Sequence, residues 1–356
     1  MEKKIRELQV SFHRFTESFL NGYSLTNQSK LLYPLIDRSI VPEELIENIE
    51  HNRKIIPMTF GFLKSNRKIN KPETIAELIK VFHQEFYRKT GGKKLSKTIS
   101  INTSFKDWNE KRKRLNIDDE KTTSALKIND FVNKKLSLEL ANFFIHGSLS
   151  TLDYTRWSDI DLLGIIKEET ILDKNRLLNL RKNMIKLNAS LFENDPLQHH
   201  GVFLINEFEM KNYSQSFFPV ELFKYSTALL NTDKLIFNVR NSKGEAKETL
   251  FELINYVETF QSKKNISMYD WKLFCHIMLL IPAIYLECKG RYLYKKYSFR
   301  DAKKDFSENE WRIIEKMTEM RDKFYYNPFW LRIITKQRIN FWPNVLAARF
   351  LTRAPK

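Results

Sequence analysis

Apolar positions recur along this chain in two rhythms, and the change of rhythm divides it. Up to about residue 85 they return every three or four residues: Phe12, Phe15, Phe19 and Leu20, then Ile75, Leu78, Ile79 and Phe82. That spacing lines one face of an amphipathic helix. The segment 88–114, RKTGGKKLSKTISINTSFKDWNEKRKR, interrupts it with Gly91-Gly92 and sets ten basic residues against Asp107 and Glu110. It predicts either a mobile loop or a hairpin arm. A further helical piece around 120–140 leads into Phe143-Phe144-Ile145-His146, a short apolar run that predicts a buried strand.

From 143 to about 240 the pattern is mixed. A second strand is predicted at 159–166 and a long helix across 168–193, with Ile171, Leu177, Leu178, Leu180, Met184 and Leu187 as its apolar face. A third strand follows at 198–205, then a helix started by Pro219 and a strand at 235–239. Beyond 245 the helical rhythm returns. Leu250, Ile254, Val257 and Phe260 form one stripe, and 273–286, LFCHIMLLIPAIYL, reads as a buried helix kinked at Pro282 and ended by Gly290. Ser307-Glu-Asn-Glu310 is a capping-box start for a helix carrying Ile313, Ile314 and Met317.

These elements predict an α+β chain in three parts. A helical N-terminal region covers 1–130 and includes the basic loop 88–114. A domain with a small mixed sheet covers 131–240, and a C-terminal helical domain covers 241–356. A length of 356 residues allows two or three domains, and 42% hydrophobic with 13% aromatic residues supplies ample core material.

Charge adds a partner class. Sixty Lys+Arg against 43 Asp+Glu give +17, which favours a polyanion: nucleic acid, nucleotide phosphates or an anionic surface. Cys275 and Cys288 are the two cysteines and have no metal-type spacing, so a disulfide framework is excluded and a reduced, cytoplasmic setting is expected. They read as core residues. The N-terminus, MEKKIRELQVSFHRF, lacks a signal-peptide apolar stretch, and the longest apolar run is shorter than the roughly 20 residues of a membrane span. No membrane association is expected.

The chemistry concentrates in 147-GSLSTLDYTRWSDID-161, between two predicted strands. Asp159 and Asp161, one residue apart at a strand's head, project to one face about 7 Å apart. Two such carboxylates can share one or two hard divalent cations, Mg2+ or Mn2+, which stabilise the charge of a phosphoryl or nucleotidyl transfer. Gly147 allows close backbone approach, and Ser148 adds a hydroxyl donor for triphosphate oxygens. Gly91-Gly92-Lys93-Lys94 lacks the spacing of a P-loop, and no Gly-x-Ser-x-Gly or His-Glu-x-x-His occurs.

The whole pattern of strand, Gly-Ser, ten-residue gap, Asp-x-Asp, apolar strand and long helix resembles the nucleotidyltransferase superfamily. That superfamily includes DNA polymerase beta, kanamycin nucleotidyltransferase and the minimal nucleotidyltransferases of toxin–antitoxin systems. The resemblance covers roughly 143–205. It implies a nucleotidyltransferase-type sheet and transfer of a nucleoside monophosphate from an NTP such as ATP to an acceptor hydroxyl. Asp159 and Asp161 would be the metal ligands, and Gly147 and Ser148 would hold the triphosphate. A weaker likeness to the streptomycin-type adenylyltransferases, over 279–306, implies that Lys295 or Lys296 reaches the nucleotide phosphates.

One part of the family pattern is missing. The third strand usually carries a third carboxylate, and 198–205 has none; His199 and His200 stand at its head. His200 can substitute as base or ligand, because a neutral imidazole accepts a proton near pH 7 and binds some metals. Strand alternation places His199 on the other face. Magnesium prefers oxygen, so the exchange weakens a two-metal site or favours manganese or another metal.

The acceptor is open: RNA (a tRNA end by charge), a protein side chain or a small molecule. Two basic regions, 88–114 and 323–356, could contact RNA, the second interleaving aromatics such as Phe329, Trp330 and Trp342 with Arg349 and Arg353. The same C-terminal spacing also suits a helical core. The alternative to an enzyme is a catalytically decayed nucleotidyltransferase fold that binds nucleic acid.

Overall fold

The computed structural model describes residues 2–22, 41–66, 69–90, 92, 94–230, 234–261 and 266–322. The basic, aromatic segment 323–356, with Arg349 and Arg353, lies outside the described residues, as do Gly91 and Lys93. The chain divides into two units: 1–217 with 223–240, and 218–222 with 241–356.

In the first unit the N-terminal stripe folds as α1 (Glu2–Asn21), with Leu8, Phe12, Phe15, Phe19 and Leu20 buried. α2 (Glu43–His51), α3 (Pro57–Ser65) and α4 (Pro72–Lys89) follow, the last two starting on prolines whose missing N–H costs nothing in a first turn. α6 (Glu120–Lys135) and α9 (Lys174–Asn194) complete the helical cover. The buried faces of α1, α4, α6 and α9 share one hydrophobic core with strand residues Phe143, Ile145, Leu162 and Leu204. Packing is therefore continuous across the boundary expected near residue 130.

The sheet has five strands in the order β2-β6-β3-β4-β5. These are β2 (Thr103–Ser104), β3 (Leu140–His146), β4 (Asp161–Ile166), β5 (Phe203–Asn206) and β6 (Thr227–Ala228). β4 runs antiparallel to β3 and parallel to β5, and β6 is antiparallel to β3 and parallel to β2. The β3–β4 register ends on the pair His146–Asp161, which fixes the edge where the chemistry lies. The fold is thus α+β with a small mixed sheet, as expected.

The segment 88–114 is neither a loop nor a hairpin arm. β1 (Leu95–Ile99) pairs antiparallel with β7 (Leu235–Val239), β2 joins the main sheet, and α5 (Phe105–Arg114) follows. Ser104 and Asp107 cap α5 reciprocally, each side chain serving the other's backbone N–H. The predicted helix 168–193 is two pieces, α8 (Glu168–Leu172) and α9, because the Asp173 carboxylate accepts the Asn175 and Arg176 N–H groups and starts a new helix. After β5 come the single turn α10 (Glu207–Met210) and, in place of a Pro219-started α-helix, a 3-10 segment at Val220–Tyr225. The third strand begins at Phe203, five residues later than expected.

Among the described residues the second unit holds four helices: α11 (Lys243–Gln261), α12 (Met268–Cys288), α13 (Lys295–Lys303) and α14 (Glu308–Asp322). α12 runs through Pro282 and buries Trp271, Phe274, Met278, Tyr285 and Leu286. By length and composition it is apolar enough to cross a membrane, and 72% of its apolar window is buried within the protein. Cys275 and Cys288 are buried, and burial pushes the Cys275 thiol up to about 12, which suits packing rather than nucleophilic chemistry.

Candidate functional site

The site grows from the end of β3. Gly147 has φ +69°, a left-handed conformation, and a Cβ there would lie 2.2 Å from Asp161 Oδ2. Glycine is required twice over, by the backbone and by the carboxylate that fills the side-chain space. Gly147 and Ser148 open the one-turn helix α7 (Gly147–Thr151).

Three contacts fix α7. Trp108 Nε1 on α5 donates to the Leu149 carbonyl at 2.9 Å, Ser150 and Thr227 share a hydroxyl hydrogen bond of 2.8 Å, and His146 Nδ1 meets Ser226 Oγ at 3.0 Å. The loop that returns to Asp159 is held to the start of α6. Tyr154 donates its hydroxyl proton to Asp119 (2.6 Å), and Lys121 Nζ reaches the Ser158 carbonyl.

Asp159 is 8% exposed, and Asp161 is half-buried at the first position of β4. The backbone between them is held by a side chain. Gln198 Oε1 accepts the Ile160 N–H at 3.2 Å, and its Nε2 donates to the Ile160 carbonyl at 3.1 Å and to the His200 carbonyl at 3.0 Å. One buried carboxamide thereby aligns the aspartate turn with the two histidines that follow it in the chain.

Both histidines point into the site. His199 Nδ1 lies 2.8 Å from Asp159 Oδ2, and His200 Nε2 lies 2.9 Å from Asp161 Oδ1. The expectation that His199 faces away is wrong, because residues 198–202 precede β5 and do not follow strand alternation. Ligand atoms of Asp159, His199 and His200 all lie within 4.8 Å of one another. Of the expected ligands, this group holds Asp159 and His200 and leaves out Asp161, which pairs with His200; His199 is the addition.

The electrostatics follow from the geometry. Burial alone would hold His200 neutral, but the hydrogen bond it donates to Asp161 and the charges of Asp161 and Asp159 outweigh it and raise the ring to about 9. His200 Nδ1 also lies 3.0 Å from the Gly201 carbonyl, so both ring nitrogens can donate. In this arrangement His200 is an imidazolium rather than the neutral base expected. His146 takes the opposite course: burial dominates and pushes it down to about 4, so it stays neutral beside Asp161. Glu17 on α1 accepts the Leu204 N–H at 2.8 Å, and burial raises its carboxyl despite attraction to His13 and His200.

Lys295 and Lys296 open α13 in the second unit, whereas Gly147, Ser148, Asp159, Asp161 and His200 belong to the first. Sequence reasoning passed over Gln198, His146, Trp108 and Lys121. For Trp108 a signal was present, the Ser104–Asp107 capping box that starts its helix; for Gln198 there was none, since its role lies in a partner 38 residues away.

Comparison with protein-family models, with curated proteins and with solved structures finds no match.

Proposed function

We propose that the chain is a nucleotidyltransferase, moving a nucleoside monophosphate from an NTP to an acceptor hydroxyl. The observation that carries this is the seating of the Asp161 carboxylate against the backbone of Gly147, with Asp159 two residues before it. The element sequence α6–β3–α7–β4–α8–α9–β5 supports it, since it brings the Gly-Ser turn, the aspartates and the head of the third strand to the same end of adjacent strands β3, β4 and β5.

In the reaction the acceptor oxygen bonds to the α-phosphorus while the bond to the bridging oxygen of the β-phosphate breaks. Pyrophosphate leaves, and the hydroxyl proton passes to the carboxylates of the site. A bound dication supplies neutralisation of the triphosphate charge. This chain's residues contribute the rest. Gly147 and Ser148 line the approach of the phosphates, Asp159 and Asp161 carry the negative charge that holds the cation, and Gln198 keeps them in register. The donor set fits Mg2+ poorly, because a hard octahedral cation takes oxygen ligands, and two of the three grouped donors are imidazoles.

RNA is the acceptor favoured by charge. The formal charge is +17, and α5, tied to α7 through Trp108, exposes Lys106, Lys111, Lys113 and Arg114. Incubation with each α-labelled NTP, Mg2+ or Mn2+, and total cellular RNA or lysate tests the proposal. Transfer of label to an acceptor is expected, and no label with any NTP and either metal overturns it.

A second reading is favoured by the two Asp–His pairs. At 2.8 and 2.9 Å they can neutralise the carboxylates internally, as a decayed site retained for nucleic-acid binding would. RNA binding without labelling would select that reading.

A further inference from the structure

The donor atoms at the sheet edge are of two kinds, and their mixture has a consequence for the cation. We infer that Asp159, His199 and His200 form a site for one imidazole-accepting first-row dication, of the Mn2+, Co2+ or Zn2+ class, with Asp161 beside it as a further carboxylate. The inference goes beyond nucleotide transfer: it rests on the donor set and holds whatever reaction the site performs.

Four observations converge. First, the three ligand atoms lie within 4.8 Å of one another, and ligands bound about 2.1 Å from such an ion stand up to about 4 Å apart, so a small contraction closes the site. Second, His199 and Asp159 expose less than a tenth of their side-chain surface, 7% and 6%, and His200 is 14% exposed; three polar groups are gathered where water is scarce. Third, His200 Nδ1 faces the Gly201 carbonyl at 3.0 Å. A ligating imidazole is commonly oriented this way, one nitrogen giving its proton to a backbone carbonyl while the other turns to the metal. Here that other nitrogen, Nε2, points at Asp161. Fourth, Gln198 fixes the backbones of Ile160 and His200 together, so the aspartate turn and the histidine pair reach the site as one pre-formed unit.

The ligand class follows from donor softness. Imidazole nitrogen suits Zn2+, Co2+ and Mn2+ in the presence of carboxylate, whereas Mg2+ keeps oxygen ligands and several waters.

The test uses the full-length chain, stripped with a chelator and dialysed, without nucleotide. Co2+ is titrated while visible absorption is recorded, and Zn2+, Mn2+ and Mg2+ are then added as competitors. One equivalent of Co2+ is expected to give ligand-field bands. Zn2+ should remove them, and millimolar Mg2+ should not. Asp159→Asn, His199→Gln and His200→Gln should each weaken Co2+ binding by more than about tenfold, and His51→Gln, an exposed histidine elsewhere, should leave the titration unchanged. Circular dichroism identifies any variant that fails to fold. In that event the alanine variant of the same residue serves in its place and should weaken binding in the same direction.

Absence of a stoichiometric Co2+ site in the wild type overturns the inference, as does displacement by Mg2+ at equal concentration. So does an unchanged titration across the folded variants. A chain that binds Co2+ as described but labels no acceptor overturns the proposed function and leaves this site standing. Labelling with Mg2+ by a chain lacking the Co2+ site does the reverse.

Discussion

The side chain of Gln198 and the backbone of Ile160 form a two-way hydrogen-bond pair, the carboxamide accepting at 3.2 Å and donating at 3.1 Å. Ile160 is the residue between the two aspartates, so this pair performs the work of a missing strand partner. β5 begins only at Phe203, and a glutamine side chain extends the ladder toward the site edge. Gln198→Ala leaves the Ile160 N–H and carbonyl without that partner in a buried place. It should destabilise the first unit by about 1–3 kcal/mol. It should also lower any metal-dependent activity by about 10–100-fold, the scale for a group that orients ligands. Chemical denaturation and labelling kinetics on the same variant measure both; a stable, fully active Gln198→Ala would show that the turn holds its own shape.

Gly147→Ala tests the same edge from the other side. The added methyl would sit 2.2 Å from Asp161 Oδ2, and φ +69° is unfavourable for alanine. The backbone part alone costs about 1 kcal/mol or more, and the clash must move either the carboxylate or α7. Activity should therefore fall further than stability does. A Gly147→Ala protein with wild-type turnover would place the reacting groups away from Asp161.

Asp159→Asn and Asp161→Asn remove charge with little change in volume. Each should reduce NTP-dependent labelling below detection while the chain stays folded. His199→Gln and His200→Gln should act comparably to one another, since each ring meets one of the aspartates. A large effect of His200 with none of His199 would restore the strand-alternation picture. Labelling rates of the four variants, normalised to folded protein by circular dichroism, decide between them.

The parts of the site written locally were legible in the sequence. Gly147 is needed for a positive φ and for the carboxylate that displaces a side chain, and a chain with nine glycines places one there. Asp159 and Asp161 were legible from spacing alone. What lay hidden depends on distant partners. β1 (LSKTI) has a weak strand pattern and forms on β7, more than a hundred residues later, so the surrounding lysines masked it. Likewise His199 and His200 were placed by strand geometry that begins only three residues after them. The N-terminal helices were legible as helices, but nothing in their periodicity told that they share a core with the sheet.

Affinity for RNA should fall steeply with salt if the basic surface holds phosphates. The structure sharpens which cations to change. Arg112 is buried and gives its protons to Asn109 Oδ1, the Ile117 carbonyl and Asp118, so it is a structural residue of α5. Lys111, Lys113 and Arg114 are exposed. Reversing these three should weaken single-stranded RNA binding and reduce the log–log salt slope by about 2. Reversing Arg112 should instead lower the melting temperature. Equal slopes for wild type and the triple variant would remove α5 from the interface.

The last prediction concerns the second unit. Glu287 is buried near the end of α12, and burial pushes its carboxyl up to about 8. An acid whose folded value lies above its unfolded one keeps its proton in the native chain while the unfolded chain has already lost it. Between pH 4.5 and about 8 the native state therefore binds more protons, and stability must fall as pH rises through that window. Above it the loss is complete, about 5 kcal/mol if the whole shift is expressed. Glu287→Gln abolishes the ionisation and keeps the shape. Its melting temperature should match wild type near pH 4 and exceed it at pH 8, where the wild-type carboxyl has to be either held neutral or charged in an apolar place. Scanning calorimetry at the two pH values gives the answer. Parallel pH profiles for the two proteins would mean that α12 reaches water at Glu287 or that a cation meets the carboxylate there.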